Sequence, residues 1–207
     1  MKTQDKKTMV LFALFIGLLI GMNLLGGKLT TLFGVTLSVG IFMMPLTFLI
    51  TDIIAEVHGK EMTKWFVYSG LFTLLIILAY ISVFVALPPA ERFTYNAEYA
   101  TVFGLSIRIT IASIIAFFFS QMHDIIAFEY WKKKTHGKML WLRNNASTIV
   151  SQLIDTFIFM MIAFYHITPK FTVLFIISIS IPFYIFKVLF ALADTPFVYA
   201  GVKWLRK

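Results

Sequence analysis

The chain of 207 residues contains no cysteine. Disulfide bonds and thiolate metal sites are therefore excluded, although nothing follows from this about the cellular compartment. Common enzyme motifs are also missing: histidines at zinc spacing, a G-x-S-x-G nucleophile and a glycine-rich phosphate loop. We therefore expect neither an enzyme nor a bound cofactor or metal. An intramembrane aspartyl enzyme is the one enzymatic class that the sequence leaves open.

Charged residues are scarce as well, at 14% of the chain, whereas hydrophobic residues make up 59%. The mean hydropathy of +0.87 lies outside the usual range of soluble proteins. Six apolar segments are long enough to cross a bilayer as helices. Because the connections are short, the sequence predicts an all-α integral membrane protein, one transmembrane domain over residues 1–207. The predicted spans are about 9–27, 36–55, 66–87, 103–126, 146–166 and 171–199.

The basic residues predict the orientation of this bundle. Thirteen of the 18 lie on the side of the N-terminus, against three on the opposite side. The positive-inside rule then places both termini in the cytoplasm. A nucleic-acid patch around Lys132–Lys134 is the rival interpretation. We expect no nucleic-acid partner, because these lysines fall in a short loop beside a membrane span.

Two of the apolar segments carry the same polar pattern, S-Q-x-x-D-x-x-x-F, at residues 120–128 and 151–159. Gln and Asp three residues apart share one face of a helix, so Gln121 and Asp124 point the same way, as do Gln152 and Asp155. An ionised carboxylate in hydrocarbon costs several kcal/mol unless it is paired or hydrated. We therefore expect both helices to line one polar cavity, in which a polar solute is bound and moved.

The sixth span contains a second set of deep polar residues. Lys187 lies near its middle, and Tyr184, Lys187 and Asp194 fall on one stripe of the helix. Lys187 and Asp155 are the two charges expected deepest in the bilayer. An ion pair between them that only fixes the bundle is an alternative to a role in binding.

Three prolines predict irregular helices. Pro45 in the second span is expected to kink its helix, because proline cannot donate a backbone hydrogen bond. Pro182 and Pro196 are expected to interrupt the sixth helix, and broken helices commonly line transport sites.

Four further polar side chains lie within or at the ends of the spans. Asn23 ends the first helix, Asp52 and Glu56 are i, i+4 neighbours in the second, and Arg108 lies toward the outer side of the fourth. Solvated acids at the interface are the alternative for Asp52 and Glu56. Snorkelling to the interface is the alternative for Arg108 and Asp124.

With residues 45–60 placed before the two repeats, the chain resembles the queuosine precursor transporter family. That block reads P-L-T-F-L-I-T-D-I-I-A-E-V-H-G-K, with His58 where Tyr is common and Ala55 where Asn is common. The family's later motifs follow in order over residues ~20–200. They are Arg108, Ala112-Ser113, the repeats at 120–124 and 151–155, Lys187 and D-T-P-F-V-Y at 194–199.

The resemblance implies uptake of a 7-deazaguanine base (preQ0, preQ1 or queuine) across the inner (cytoplasmic) membrane, for making the queuosine of tRNA. Such a base offers N1–H and an exocyclic amine, which one carboxylate can accept bidentately. Its O6 accepts a hydrogen bond from Gln, Asn, Lys or Arg, and its ring stacks on Phe or Tyr. Which Asp binds the base is left open. The predicted substrate-binding residues are Asn23, Asp52, Arg108, Gln121, Asp124, Gln152, Asp155, Tyr184, Lys187 and Asp194.

Two other functions fit the same sequence. A substrate-binding subunit of an ATP-driven importer of the energy-coupling-factor type is similarly small and six-helical. The stripe of Ala13, Gly17 and Gly21 would then dock the partner, or a second copy of the chain, whereas packing inside the bundle is the other interpretation of this stripe. A membrane scaffold without transport activity would use Asp155 and Lys187 only as structural residues.

Overall fold

The computed structural model describes residues 3–32, 35–166, 169 and 171–207. In this part of the chain six helices are long and apolar enough, by length and composition, to cross a membrane. The predicted all-α bundle of six spans is thereby confirmed. The helices are α1 Thr3–Leu25, α2 Met44–Val57, α3 Lys60–Ala86, α4 Asn96–Lys134, α5 Leu140–Phe164 and α6 Val173–Arg206.

The bundle has an apolar outside and a partly polar inside. On α3, Phe72 and Leu75 are exposed while Leu71 and Leu74 are buried, so apolar residues cover both faces of the helix. Many of the fully enclosed side chains are polar, which is unusual for a soluble core. Such a distribution suits a protein surrounded by lipid, because lipid-facing residues must be apolar and polar groups need partners inside.

One part of the interior is a continuous apolar core that fixes α1, α3 and α4 against each other. Phe15 of α1 lies with its ring centroid 5.9 Å from Phe66 of α3 and 6.1 Å from Phe117 of α4. Phe15 and Phe117 are almost fully buried. The polar interior described below involves residues of α1, α2, α4, α5 and α6.

The segment between α1 and α2 contains a hairpin that the sequence did not predict. Strand β1 (Leu29–Leu32) pairs antiparallel with β2 (Val35–Ser38), and a 3₁₀ turn at Val39–Phe42 follows. The predicted second span, about 36–55, therefore starts within β2, and α2 itself begins only at Met44. A 3₁₀ turn and α2 together form the span, Val39–Val57.

The prolines interrupt the helices less than predicted. Pro45 lies in the first turn of α2, where the backbone N–H has no helical acceptor, so it starts the helix and does not kink it. Pro182 and Pro196 both lie inside α6, which is continuous from Val173 to Arg206. Their lost hydrogen bonds do not end the helix, because transmembrane helices tolerate proline when neighbouring groups satisfy the freed carbonyls.

The four residues Glu56, Lys132, Arg143 and Arg206 form an ion cluster at one end of the bundle. The Glu56 carboxylate accepts from Arg143 Nη1 at 2.8 Å and Arg206 Nη2 at 3.1 Å, and Lys132 Nζ lies 3.5 Å away. Arg143 is 1% exposed and also lies over the Phe128 ring. The alternative of a solvated interface acid is thus wrong for Glu56. This ion cluster joins α2, α4, α5 and α6.

Both ends of the chain lie at this end of the bundle. Lys7 Nζ in α1 donates to the backbone carbonyl of Trp204 in α6 at 2.7 Å, and it lies 5.1 Å from the centre of the Trp204 ring. The start of α1 and the end of α6 therefore lie at the same end of the bundle.

Substitution of Gly40 tests a close approach of two backbones beside the hairpin. A Cβ on Gly40 would lie 2.9 Å from the carbonyl oxygen of Met22 and 3.2 Å from the Cα of Gly26. Because backbone atoms must move, we expect Gly40→Ala to lower the free energy of unfolding by about 1–3 kcal/mol. The measurement is thermal unfolding in detergent. Gly17→Ala is the control, since nothing lies within 4 Å of its Cβ; equal melting of the two variants would contradict the prediction.

Candidate substrate site

A cavity with an empty volume of about 660 Å³ opens between α1, the end of the hairpin, α4, α5 and α6. We call it the large cavity. This volume includes space that is open to the outside. Its wall is mainly apolar and includes three phenylalanine rings, Phe117, Phe159 and Phe183. The polar side chains in the wall are few: Asn23, Ser38, Ser113, Asp155, Thr156 and Lys187.

An ion pair between α5 and α6 forms the charged part of this wall. Lys187 Nζ lies 2.7 Å from Asp155 Oδ2, and both side chains are 7% exposed. Ser120 Oγ on α4 donates to the other oxygen, Asp155 Oδ1, over a longer distance of 3.4 Å. The proximity of Asp155 and Lys187, proposed from the sequence, is therefore a feature of the structure.

Two other polar groups in the wall are incompletely bonded. Asn23 donates its amide to the carbonyl oxygen of Leu19 at 2.9 Å, but its Oδ1 has no donor among the described residues. Thr156 Oγ1, on the turn of α5 that carries Asp155, likewise has no partner there. Buried polar groups without partners are costly, about 1–3 kcal/mol each, unless a ligand or water satisfies them. Both groups border the cavity in which such a ligand would lie.

The hairpin contributes a polar group through a local hydrogen-bond arrangement. Ser38 Oγ donates to the carbonyl oxygen of Gly26 at 2.6 Å and accepts from the N–H of Gly40 at 3.2 Å. These bonds attach the end of β2 to the turn after α1. The three residues all line the large cavity, so this non-helical segment forms part of its wall.

A second polar region is the acidic cluster, formed by Asp52 of α2, Asp124 of α4 and Asp194 of α6. Ser151 and Thr148 of α5 donate to Asp124 Oδ1 at 3.1 and 3.4 Å. The amide of Asn144 donates to Asp194 Oδ1 at 3.4 Å, so α5 supplies all three donors. Asp52 lies close enough to interact electrostatically with both other carboxyl groups, but neither of its oxygens has a hydrogen bond of good geometry.

A smaller cavity, with an empty volume of about 210 Å³, has one charged residue of each polar region in its wall, Lys187 and Asp194. Thr148, Gln152, Lys187 and Asp194 supply its polar wall. Lys187 borders both this small cavity and the large one. Lys187 therefore belongs to the ion pair with Asp155 and also lies beside Asp194 of the acidic cluster.

The structure brings most of the predicted site residues into these two regions. Asn23, Asp155 and Lys187 line the large cavity, and Gln152 and Asp194 line the small one. Asp52 and Asp124 belong to the acidic cluster. Gln121 is fully buried, and neither its amide oxygen nor its amide nitrogen has a partner among the described residues.

Arg108 and Tyr184 lie in neither cavity wall. Arg108 Nε donates to the carbonyl oxygen of Ile162 at 2.9 Å, and Nη2 to that of Tyr165 at 2.6 Å. These carbonyls are at the C-terminal end of α5, so Arg108 caps that helix. The Tyr184 hydroxyl donates to the carbonyl oxygen of Ile149 at 3.3 Å. A role of either residue in binding substrate stays a prediction.

Several wall residues were missing from the predicted set. Ser113 belongs to the Ala-Ser motif, and Thr156 directly follows the Asp of the second repeat, so their sequence positions could have predicted a place in the cavity wall. The sequence does not indicate which phenylalanines line the cavity, because 23 of them are spread through apolar segments. Ser38 was missed because its segment was assigned to a helix.

Comparison with known proteins gives the family. The sequence pattern of a family described as "Putative vitamin uptake transporter" matches residues 38–201. The chain is 34% identical over 184 residues to the "Probable queuosine precursor transporter" of Bacillus subtilis (strain 168), covering 88% of this chain and 79% of the relative. It is 26% identical over 192 residues to the "Queuosine precursor transporter" of Escherichia coli (strain K12), covering 92% and 84%.

A third relative is the "Probable queuosine precursor transporter" of Haemophilus influenzae (strain ATCC 51907 / DSM 11121 / KW20 / Rd). It is 31% identical over 133 residues, covering 64% of this chain and 54% of the relative. No solved structure gives a significant match. The six spans and these relatives identify a multi-pass protein of the inner membrane. The chain belongs to the vitamin uptake transporter family.

Proposed function

We propose that this protein imports a queuosine precursor, a 7-deazaguanine base, across the inner membrane. The observation that carries the proposal is the large cavity with the Asp155–Lys187 ion pair in its wall. The names of all three relatives support the choice of substrate, and they favour transport over the ATP-driven binding subunit and over catalysis.

The ion pair is complementary to one edge of a deazaguanine. Along that edge the base presents an acceptor, O6, followed by two donors, N1–H and the exocyclic amine. A carboxylate accepts two such donors at once, and an ammonium group has three N–H donors of its own. Asp155 thus accepts N1–H and the amine, while Lys187 donates to O6 and keeps a second bond to Asp155.

The rest of the wall suits a flat heteroaromatic ring. Phe117, Phe159 and Phe183 offer apolar faces on which the ring can stack. Asn23 Oδ1 and Thr156 Oγ1, both unsatisfied among the described residues, can bond the remaining polar atoms of the ligand. This combination of aromatic surface with a few placed polar groups is typical of small-molecule sites.

Purified protein in liposomes, without any partner, tests the function. We expect labelled preQ1 or queuine to enter, and guanine to compete better than adenine, because adenine lacks the acceptor–donor–donor edge. Liposomes without protein are the control. Binding without entry would favour the ATP-driven subunit, and the absence of binding to any deazaguanine would favour the scaffold.

A docking face on α1 is a separate proposal. Ala13 and Gly17 are exposed on the surface, whereas a Cβ on Gly21 would lie 3.1 Å from Met43 Sδ. The outward part of the stripe leaves room for another helix, from a second copy or another subunit. Crosslinking through a cysteine at Gly17, in membranes from cells that express the protein, tests it.

The orientation with both termini in the cytoplasm is also proposed, on the basis of the basic residues at the end that carries the ion cluster. Lys2 and Lys170, which the charge count includes, lie outside the described residues. We expect Lys133→Cys to be protected from a membrane-impermeant thiol reagent in intact cells, and Glu91→Cys, in the loop after α3, to be labelled. Both side chains are exposed and the chain has no other cysteine. Labelling of position 133 from outside would contradict the orientation.

A further inference from the structure

The acidic cluster contains three carboxyl groups that form no ion pair with a basic residue in the described part of the chain. Asp52 is 1% exposed, Asp124 2% and Asp194 8%, so none is hydrated from the surface. Among the described residues, the ion pairs of Lys187 and Arg143 go to Asp155 and Glu56, and no ion pair reaches the cluster. Three ionised carboxylates enclosed together would repel each other strongly in this low-dielectric interior.

Hydrogen-bond acceptors also exceed donors around the acidic cluster. Four buried oxygens have no donor among the described residues: both carboxyl oxygens of Asp52, Asn144 Oδ1 and Gln152 Oε1. Gln152 is 3% exposed and lines the small cavity together with Asp194 and Thr148. Its unpaired carbonyl oxygen is independent of the carboxyl groups and requires a donor at the same place. A ligand that stabilises this site must therefore carry positive charge and supply hydrogen-bond donors.

We propose that Asp52, Asp124 and Asp194 form a proton-binding site, and that the proton is carried inward with the substrate. A bound proton removes one negative charge and turns a carboxyl oxygen into a donor, so it meets both needs at once. A metal ion fits less well. In the described part of the chain, no three His, Asp or Glu side chains are grouped so that they could hold one.

The groups that face this site come from every helix packed around it. His123 Nδ1 lies 2.9 Å from Ser151 Oγ, which itself donates to Asp124, so His123 is linked to the site through one hydroxyl. The charged and titratable residues around the site are Asp52 and Glu56 on α2, His123 and Asp124 on α4, Arg143 on α5, and Lys187 and Asp194 on α6.

Lys187 connects the proton site with the substrate site. It bonds Asp155 in the large cavity and borders the small cavity beside Asp194. The charge of the acidic cluster therefore acts on the ammonium group that contacts the base. The coupling of proton movement to substrate import rests on the proposed function, whereas the binding of a proton to the acidic cluster does not.

Infrared spectroscopy of the purified protein tests the proton site without substrate. Near neutral pH we expect the C=O stretch of a protonated carboxyl group, which disappears at alkaline pH and is weakened in Asp52→Asn. Glu61→Gln is the matched control, because Glu61 is exposed and pairs only with Lys64 at the surface. If Asp52→Asn does not fold, Asp194→Asn takes its place. No protonated carboxyl signal in the wild-type protein would overturn the proposal.

Uptake into liposomes tests the coupling. An inward proton gradient of about one pH unit can sustain up to about tenfold accumulation of the base if one proton accompanies each molecule. We expect Asp52→Asn to lose this accumulation and Glu61→Gln to keep it. The coupling would be refuted if uptake were the same with and without the proton gradient. It would also be refuted if a sodium gradient drove accumulation at equal pH on both sides. No entry of any base into wild-type liposomes, with the infrared signal present, would refute the proposed function and leave the proton site standing.

Discussion

Replacing Asp155 by asparagine is expected to stop uptake of the queuosine precursor. Each charge-assisted hydrogen bond that is lost to the base costs roughly 1.5–3 kcal/mol, or about 10- to 150-fold in affinity. The same change leaves the ammonium group of Lys187, which is 7% exposed, without its partner. Stranding a buried charge in this way costs about 3–5 kcal/mol of stability. The single variant alone therefore cannot separate binding from folding.

The double variant Asp155→Asn with Lys187→Met separates the two effects. Because it removes both charges, we expect its melting temperature in detergent to return toward that of the wild-type protein. Uptake should remain absent, since neither the carboxylate nor the ammonium is there to bind the base. The readouts are thermal unfolding and the queuosine content of tRNA in cells that depend on import.

Glu98→Gln is the control, because it makes the same chemical change in an exposed side chain at the start of α4. It should leave unfolding and uptake as in the wild-type protein. A double variant that transports normally would show that Asp155 and Lys187 only stabilise the bundle. A stable, inactive double variant would support the binding role.

Glu56→Gln is expected to have the largest effect on stability outside the two cavities. Glu56 is the shared partner of Arg143, Arg206 and Lys132, and the Arg143 side chain is only 1% exposed. Removal of the carboxylate leaves the buried guanidinium with a backbone carbonyl and an aromatic ring as neighbours. We expect a loss of about 3–5 kcal/mol, the usual range for one partner of a buried ion pair.

Glu61→Gln again provides the comparison. Its pair with Lys64 is 3.0 Å long, but the Glu61 side chain is 79% exposed, and such surface pairs contribute about 0–1 kcal/mol. Thermal unfolding of both variants in the same detergent, at low and at high salt, measures the difference. Equal melting temperatures for the two would show that the Glu56 ion cluster does not hold the helices together.

The sequence predicted the polar interior better than the ends of the helices. In the two repeats, Gln and Asp at i, i+3 had to share a helix face, and all four side chains are indeed buried. The pairing of Asp155 with Lys187 followed from their common depth in the bilayer. Both inferences depend only on helical periodicity and on the high cost of an unpaired charge in lipid.

The Glu56 ion cluster was not predicted, because no local pattern marks its partners. Arg143 and Arg206 lie 87 and 150 residues from Glu56 along the chain. Helical periodicity predicts contacts only between residues three or four positions apart on one helix. By this rule the predicted neighbour of Glu56 is Asp52. Which helices meet at that end is decided by the packing of the whole bundle.

The hairpin was missed for a different reason. Each of its strands has four residues, and they are enclosed by long apolar segments. Averaged over the length of a transmembrane span, such short strands are indistinguishable from the start of the next helix. The predicted kink at Pro45 is wrong for the same reason, because α2 begins at Met44, one residue before Pro45.

The two-stranded hairpin has one further consequence, for the tolerance of this protein to insertions and deletions. Hydrocarbon cannot satisfy the main-chain groups at the outer edges of a two-stranded sheet, so these edges must face protein or a polar cavity. Ser38 and Gly40, bonded to each other at its end, fix where those edges lie. Adding or removing a single residue in either strand would turn the following side chains to the opposite face and displace this anchor. Across related proteins, we therefore expect side chains within residues 29–38 to vary more readily than the number of residues.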